Sequence, residues 1–276
     1  MEVNYRKKYE TLLDTIRPYG RAAVAFSGGT DSSLLAYAAA EALGRDNVLC
    51  VTARAASFPE REIKEAEEFC RSKELTHIIF DFDELGIPGF SENPPDRCYL
   101  CKSALFTKII ELADDAEMTT VFEGSNTGDS DDYRPGMRAV SEMFIESPLK
   151  SSGLNKSDIR MISKELNLPA WDKQPFACLS SRFVYGEEIT SAKLDMVGKA
   201  EQFLLERGFS PVRVRIQGKD HYTARIEVLK EDISRFLKGS LQDDTAKYFR
   251  DLGFSYVTLD LLGYRTGSMN EVLFQR

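Results

Sequence analysis

The sequence predicts an α/β protein in which a parallel sheet, covered by helices on both faces, is followed by a smaller α+β domain. Short apolar segments alternate with amphipathic segments from the start of the chain, which is the pattern of βαβ units. After a stretch containing two prolines, at 168–181, the pattern changes to two strands separated by a tight turn. We therefore place the domains at 1–170 and 171–276.

The first predicted domain opens with an amphipathic helix at 3–18, where apolar side chains recur at helical spacing. Its predicted strands are short and apolar, at 21–26, 47–53, 76–82 and 118–123. Its further helices are predicted at 31–43, 59–73, 99–113 and 156–166. Two polar loops, at 83–97 and 125–136, follow strands, and loops after parallel strands are where such folds bind ligands.

The second predicted domain begins with a helix at about 191–207. Two strands at 211–217 and 222–229 are separated by the turn residues 218–220. Helical segments over 231–252 and a strand at 256–261 complete a small α+β domain.

The composition limits the classes of function. The 276 residues carry 36 Lys and Arg against 44 Asp and Glu, a net charge of −8, which argues against nucleic acid as a partner and favours small molecules. Only two histidines are present, so a three-histidine metal site within one chain is excluded. The polar first residues predict no signal peptide, and the longest apolar stretch, 34–43, is too short for a membrane span. We expect a cytoplasmic protein whose five cysteines are reduced.

A glycine loop follows the first predicted strand. Glycines let the backbone approach an anion closely, and the amides at the start of the next helix attract phosphate. Asp31 could cap that helix or bind Mg²⁺. The candidate phosphate-binding residues are Ser27, Gly28, Gly29, Asp31, Ser32 and Ser33.

This loop, Ser-Gly-Gly-Thr-Asp-Ser-Ser, resembles the SGGxDS signature of the PP-loop ATP pyrophosphatases, whose domain is of the adenine nucleotide alpha hydrolase-like type. Thr30 stands where the signature usually has a hydrophobic residue. The resemblance implies ATP and Mg²⁺ as cofactors, cleavage of ATP between its α and β phosphates, and transfer of AMP to an acceptor oxygen. It also implies that adenine lies near 51–54 and that Gly124, after the fourth strand, approaches the phosphates.

The five cysteines divide into two groups. Cys50 and Cys70 lie on apolar faces and are predicted to be core residues. Cys98 and Cys101 form a Cys-x-x-Cys pair at the start of a predicted helix, and Cys178 lies near the domain boundary. The pair could be a chance occurrence, but three thiolates could also hold a 4Fe–4S cluster with one iron left open.

Several further motifs, together with the glycine loop, resemble the LarE family over most of the chain. They occur in the same order as in that family, at 97–102, 132–136, 177–183, 212–215 and 263–270. The resemblance implies thiolation of pyridinium-3,5-biscarboxylic acid mononucleotide, a step in building the nickel-pincer nucleotide cofactor of lactate racemase. It also implies a homo-oligomer, a trimer or a hexamer.

The LarE family obtains sulfur in two ways. In one, a single cysteine gives up its own sulfur, and in the other three cysteines hold a 4Fe–4S cluster that carries a transferable sulfide. Cys98, Cys101 and Cys178 match the three-cysteine type, while Ala177 falls where the sacrificial residue would be expected. The resemblance therefore implies a 4Fe–4S cluster on these three residues and a supply of sulfide or another sulfur donor.

Two arginines, Arg213 and Arg215, alternate with apolar residues on a predicted strand and so share one face. Two guanidinium groups on one face suit a phosphate or paired carboxylates, but a solvated face would have the same pattern. The LarE resemblance implies that these residues bind the substrate nucleotide, with Ser181 and Arg182 beside the cluster.

Three alternatives remain open at this point. A PP-loop tRNA thiolation enzyme would need a basic surface for its substrate. An amidotransferase would have to use free ammonia, because the chain has no glutaminase segment. A nucleotide sensor of similar fold would bind ATP without releasing AMP.

Overall fold

The computed structural model describes residues 2–129, 135–174 and 176–265. It divides into two compact units. The first contains the described residues up to Asp83 and those of Asp96–Phe176, and the second contains Glu84–Pro95 and the described residues from Ala177 onward. The predicted division at 170/171 differs from this in two ways: the chain changes unit after Phe176, and 84–95 groups with the second unit.

The first unit contains a parallel sheet in the order β3-β2-β1-β4. Its strands are β1 (Ala22–Ala25), β2 (Val48–Arg54), β3 (Thr76–Asp81) and β4 (Val121–Phe122). The chain runs from β1 to β2 and β3 on one side, and β4 then pairs with the other edge of β1. The point where the strand order reverses therefore lies between β1 and β4, which is where open α/β sheets bind ligands.

Helices cover both faces of this sheet. They are α1 (Glu2–Ile16), α2 (Thr30–Leu43), α3 (Glu60–Ser72), α4 (Arg97–Asp115), α5 (Gly136–Glu142), α6 (Pro148–Ser151) and α7 (Lys156–Glu165). Ala22 and Val24 pack into one buried cluster with residues of α1, α2, α3 and α7, while Ala23 packs into another with residues of α4. Because successive residues of a strand point to opposite faces, β1 is buried on both sides, which confirms the predicted α/β class.

The second unit contains a three-stranded sheet in the order β5-β6-β7. Its elements are α8 (Ser191–Leu205), β5 (Val212–Gln217), β6 (Thr223–Val228), α9 (Leu241–Asp251) and β7 (Tyr256–Leu259), with 3₁₀ helices at Leu179–Arg182 and Lys230–Leu237. β5 and β6 are antiparallel, and β6 and β7 are parallel. The helical stretch predicted over 231–252 is thus a 3₁₀ helix followed by α9.

Candidate functional site

The glycine loop lies at the carboxyl end of β1 and leads into α2. The Ser32 hydroxyl accepts a hydrogen bond from the Ser27 amide (3.3 Å) and lies 3.1 Å from the Ser27 hydroxyl. Gly29 is the N-terminal cap of α2, and no side chain caps this helix. The first amides of α2 are therefore left to an acceptor from outside the helix, as an anion-binding turn requires.

Two glycines fit tightly into this region. Gly28 has a φ of +67°, and a Cβ at this position would lie 3.2 Å from the Cβ of Ala66 in α3. Gly124, the second residue after β4, packs against the first turn of α2, where a Cβ would lie 3.3 Å from the Ser32 amide nitrogen. Gly28 thus lets the loop pack against α3, and Gly124 lets the chain after β4 pack against the start of α2. Gly124 and the start of α2 lie where the strand order reverses.

Thr30, the departure from the usual loop pattern, is buried and makes a specific contact. Its hydroxyl donates a hydrogen bond of 2.7 Å to the carbonyl of Ala170. The same stretch supplies Lys173, whose ammonium donates to the carbonyl of Gly28 (3.2 Å) and pairs with Glu62 (2.7 Å). At this position, where the signature usually has a hydrophobic residue, the Thr30 side chain thus makes a hydrogen bond.

Asp31 does not cap α2 but pairs with Lys156, the first residue of α7, at 2.5 Å. Burial raises the pKa of the Asp31 carboxyl, and the Lys156 ammonium offsets part of that effect. The other carboxylate oxygen, Oδ1, is buried and has no hydrogen-bond partner among the described residues. A buried carboxylate oxygen beside a phosphate-binding turn is a suitable Mg²⁺ ligand, so the residues present fit the cation that the PP-loop resemblance implies.

The Cys-x-x-Cys pair lies in the first two turns of α4, in the first unit. Cys98 is exposed and Cys101 is half-buried, so at least one thiol is open to solvent. Gly136, at the start of α5, packs closely against the side chain of Lys102. Cys50 and Cys70 are 0% and 1% exposed, which confirms that they are core residues. A hydrogen bond with Cys70, together with burial, raises the pKa of the Cys50 thiol.

Cys178 belongs to the second unit, where it precedes the 3₁₀ helix Leu179–Arg182 and is half-buried. Its carbonyl accepts hydrogen bonds from the Ser181 amide (3.0 Å) and the Ser181 hydroxyl (2.8 Å). The three predicted sulfur-site cysteines are therefore divided between the two units. Among the described residues, no group of three His, Cys, Asp or Glu side chains is arranged to hold a metal ion.

A buried group of charged side chains lies beside Cys178. Arg182, 0% exposed, forms a two-pronged ion pair with Glu201 of α8 through contacts of 2.6 and 3.1 Å. Glu201 also accepts a hydrogen bond from the Val214 amide of β5 (2.9 Å). Although burial alone raises the pKa of a carboxyl, the Arg182 guanidinium holds the pKa of Glu201 below its usual range.

Arg213 and Arg215 share one face of β5, as predicted, but that face is not solvated. They are 9% and 5% exposed, so the solvated-face alternative is wrong. Arg215 pairs with Glu227 of β6 (2.9 Å) and donates to the carbonyl of Ser181 (2.7 Å). Burial, and then the nearby charge of Arg182, lowers the pKa of Arg213. The second unit thus brings Cys178, Ser181 and these arginines into one connected group.

Sequence reasoning missed three residues of these sites. Glu201 had a signal, because it falls on the apolar stripe of α8 in line with Leu194 and Val197. No sequence signal marks Lys156 or Lys173, because a single lysine outside a motif has the pattern of an ordinary surface residue. The parts of the predicted motifs at 132–134 and 266–270 lie outside the described residues.

Within the described ranges, none of the helices is both long and apolar enough to cross a bilayer.

Comparison with known proteins agrees with this geometry. The family model of the NAD synthases matches residues 7–87, which include β1, the glycine loop and α2. A subunit of the glutamine-hydrolysing GMP synthase of Thermoplasma volcanium is 27% identical over 69% of the chain and 65% of its own length. The fold and the loop therefore define a nucleotide-using protein of the PP-loop class.

Two relatives match along almost the whole chain. An uncharacterized protein of Synechocystis is 40% identical, over 96% of the chain and 98% of its own length. The pyridinium-3,5-bisthiocarboxylic acid mononucleotide synthase of Lactiplantibacillus plantarum is 35% identical, over 96% of the chain and 95% of its own length. The chain belongs to the family of this synthase, the LarE family, and is an ATP-dependent enzyme.

Proposed function

We propose that this protein is a sulfur transferase that adenylates a carboxylate of pyridinium-3,5-biscarboxylic acid mononucleotide and then replaces a carboxylate oxygen with sulfur, in the synthesis of the nickel-pincer nucleotide of lactate racemase. The observation that carries the proposal is the 35% identity, over 96% of the chain, to a synthase of the corresponding bisthiocarboxylic acid mononucleotide. The glycine loop beside Gly124 supports the ATP-dependent half of the reaction.

In the first step, a substrate carboxylate oxygen attacks the α-phosphorus of ATP, and pyrophosphate leaves. The loop residues Ser27, Gly28, Gly29, Ser32 and Ser33 bind the phosphates through amides and hydroxyls, and Asp31 binds Mg²⁺. In the second step, a sulfur nucleophile attacks the acyl carbon and AMP leaves. AMP is a far better leaving group than oxide, which is why adenylation must precede sulfur transfer.

The buried charges of the second unit support a binding role for the arginines. Arg182, Arg213 and Arg215 are buried, and Arg182 and Arg215 form ion pairs with Glu201 and Glu227. Guanidinium groups bind phosphate and carboxylate oxygens through charge-assisted, often two-pronged hydrogen bonds. We assign the phosphate or a carboxylate of the substrate nucleotide to these arginines and to Ser181.

We further propose that Cys98, Cys101 and Cys178 bind a 4Fe–4S cluster. The support is the chemistry of the donors, because Cys thiolates are the ligands that such clusters use; of these three cysteines one is exposed and two are half-buried. With three protein ligands one iron would stay open, and the cluster would supply a sulfide as the source of the transferred sulfur. The alternative within this family is transfer from a cysteine that gives up its own sulfur, for which Cys178 is the candidate.

The test separates the two half-reactions. Cys98→Ala, Cys101→Ala and Cys178→Ala should each abolish formation of the thiocarboxylate, measured by mass spectrometry, while pyrophosphate release with substrate and ATP continues. Cys70→Ala, a buried core cysteine, is the control and should retain both activities. Full thiolation by a variant lacking all three cysteines would refute the proposal.

The sulfur source is decided by a second measurement on anaerobically prepared protein. A cluster predicts a brown protein with about four iron and four sulfide atoms per chain. An iron-free protein that transfers one sulfur per chain, and in which Cys178 then lacks the elements of H₂S, would instead establish sacrificial transfer.

A further inference from the structure

The ion pair between Asp31 and Lys156 lies next to the phosphate-binding turn and has no role in the steps above. The Lys156 ammonium contacts Oδ2 of Asp31 at 2.5 Å, whereas Oδ1 is buried without a hydrogen-bond partner in the described part of the chain. Half of this carboxylate is therefore satisfied by a lysine, and the other half is available to a cation. A half-buried carboxylate whose buried oxygen has no hydrogen-bond partner points to a ligand that supplies positive charge.

The backbone that carries Lys156 is held firmly, although its side chain is not. The Asn155 side chain accepts from the Asp158 amide (3.0 Å), and the Asp158 carboxylate accepts from the Asn155 amide (3.1 Å), which is a complete capping box. Lys8 of α1 also pairs with Asp158 at 2.6 Å. The Lys156 side chain itself is 36% exposed, and its four-carbon stem can turn without moving α7.

Other charges act on Asp31 from the elements packed around it. Asp129, in the loop after β4, is close enough to raise the pKa of Asp31, and Arg160 of α7 lowers it. Asp129 is positioned by the Asn126 amide, which donates to its carboxylate at 2.9 Å. Of the described cations that act on Asp31, Lys156 is the one in direct contact with it, through the ion pair of 2.5 Å.

We propose that Lys156 has two positions in the catalytic cycle. Without nucleotide, its ammonium balances the charge of Asp31. When Mg·ATP binds, Asp31 would hold the magnesium ion, and the Lys156 ammonium turns to the phosphates that leave as pyrophosphate. Lys156 is thus a phosphate-binding residue of the ATP half-reaction, an inference that rests on the proposed function.

The exchange has a simple electrostatic basis. The loop gains two positive charges with magnesium and several negative charges with the phosphates. A lysine left on Asp31 would compete with magnesium, whereas a lysine on the phosphates adds a charge-assisted hydrogen bond. One side chain therefore keeps the site balanced both with and without nucleotide.

The experiment uses the full-length protein and two probes that require no turnover. Mn²⁺, which has the same preference for oxygen ligands as Mg²⁺, is titrated into nucleotide-free protein and its binding is followed by electron paramagnetic resonance. An ATP analogue with a methylene group between the α and β phosphates is titrated by calorimetry at saturating Mg²⁺. The variants are Lys156→Met, Lys156→Arg and, as a matched control in the same helix, Lys164→Met.

Lys156→Met should bind Mn²⁺ more tightly, because Asp31 has lost its competing cation. The same variant should bind the analogue about tenfold more weakly, because a charge-assisted hydrogen bond to phosphate is lost. Lys156→Arg should recover most of the analogue affinity, and Lys164→Met should match the wild type in both titrations.

Tighter binding of Mn²⁺ together with weaker binding of the ATP analogue would identify the exchange. A substitution that only damaged the structure would weaken the binding of both probes. Unchanged affinity for the analogue, or weaker binding of both probes, would overturn the proposal. If the wild-type protein fails to bind the analogue at all, the proposed ATP-dependent function fails. The Mn²⁺ titration then still tests the pairing of Lys156 with Asp31.

Discussion

At the scale of single residues, the most informative feature is the buried ion pair of Arg182 and Glu201 in the second unit. Both side chains are nearly inaccessible, at 0% and 1% exposed, and the Val214 amide adds a further hydrogen bond to the carboxylate. Burying two charges is costly even when they pair, and breaking such a pair leaves one charge uncompensated. A pair retained at this cost beside Cys178 is consistent with a site that must hold an arginine in a fixed position.

This pair gives a stability prediction. Glu201→Gln should lower the free energy of unfolding by about 3 kcal/mol or more, because Arg182 would remain buried without its counter-ion. The measurement is urea denaturation followed by circular dichroism. The control is Asp195→Asn, which removes an exposed ion pair with Lys199 on the same helix, and it should leave stability nearly unchanged. Equal effects of the two substitutions would contradict this account.

The same pair predicts the direction of a pH effect. The pKa of Glu201 is lowered in the folded protein, so its contribution is fully present above the pKa of an unfolded Glu, about 4.3. The contribution is lost as the pH falls from there through the lowered pKa of the folded protein. The wild type should therefore lose more stability than Glu201→Gln over that acidic range.

Residue types could be predicted from the sequence, but their environments could not. Arg213 and Arg215 were placed on one strand face, yet their burial depends on α8 and β6, which meet them only in the folded chain. Lys156 contacts Asp31 across 125 residues of sequence. Local periodicity contains no information about such contacts, whereas the position of the glycine loop between a strand and a helix depends on local sequence and could be predicted.

At the scale of elements, the unit of β1, the glycine loop and α2 was predicted closely because each part has a strong local signal. The apolar run, the paired glycines and the apolar helix occur within about two dozen residues, and the structure has the strand at Ala22–Ala25 and the helix at Thr30–Leu43. The short helices Gly136–Glu142 and Pro148–Ser151 were missed. One or two turns are too short to establish a helical period.

The glycine loop gives a prediction at this scale. Gly28→Ala should weaken binding of ATP about tenfold or more, because the new Cβ meets Ala66 and the residue must hold a positive φ. Gly20→Ala is the control, since Gly20 has a similar φ of +72° with no atom within 4 Å of a built Cβ. It should cost stability but leave ATP affinity unchanged. Calorimetric titration measures the affinity of each variant for ATP, and equal affinities for the two variants would contradict the tight fit at Gly28.

At the scale of the whole molecule, the division into units shows what a linear reading of the chain misses. Residues 84–95 were assigned to a loop of the first domain, but they group with the second unit. Asn93 explains this, because its side chain donates to the carbonyl of Val184 and its carbonyl accepts from the Gly186 amide. These bonds join segments about 90 residues apart, and nothing in the local sequence of 84–95 indicates them.

The charge of the whole molecule favours the proposed function over that of a tRNA thiolation enzyme. The net charge is −8, and the arginines that could have formed a basic surface on β5 are buried. Because affinity for nucleic acid depends on exposed cations that neutralise phosphates, we expect no gel shift with bulk tRNA at about 0.15 M salt. A basic tRNA-binding protein run on the same gel is the positive control. A shift that weakens steeply as salt is raised would favour the tRNA enzyme, since small-molecule binding gives no reason for the chain to retain a polyanion.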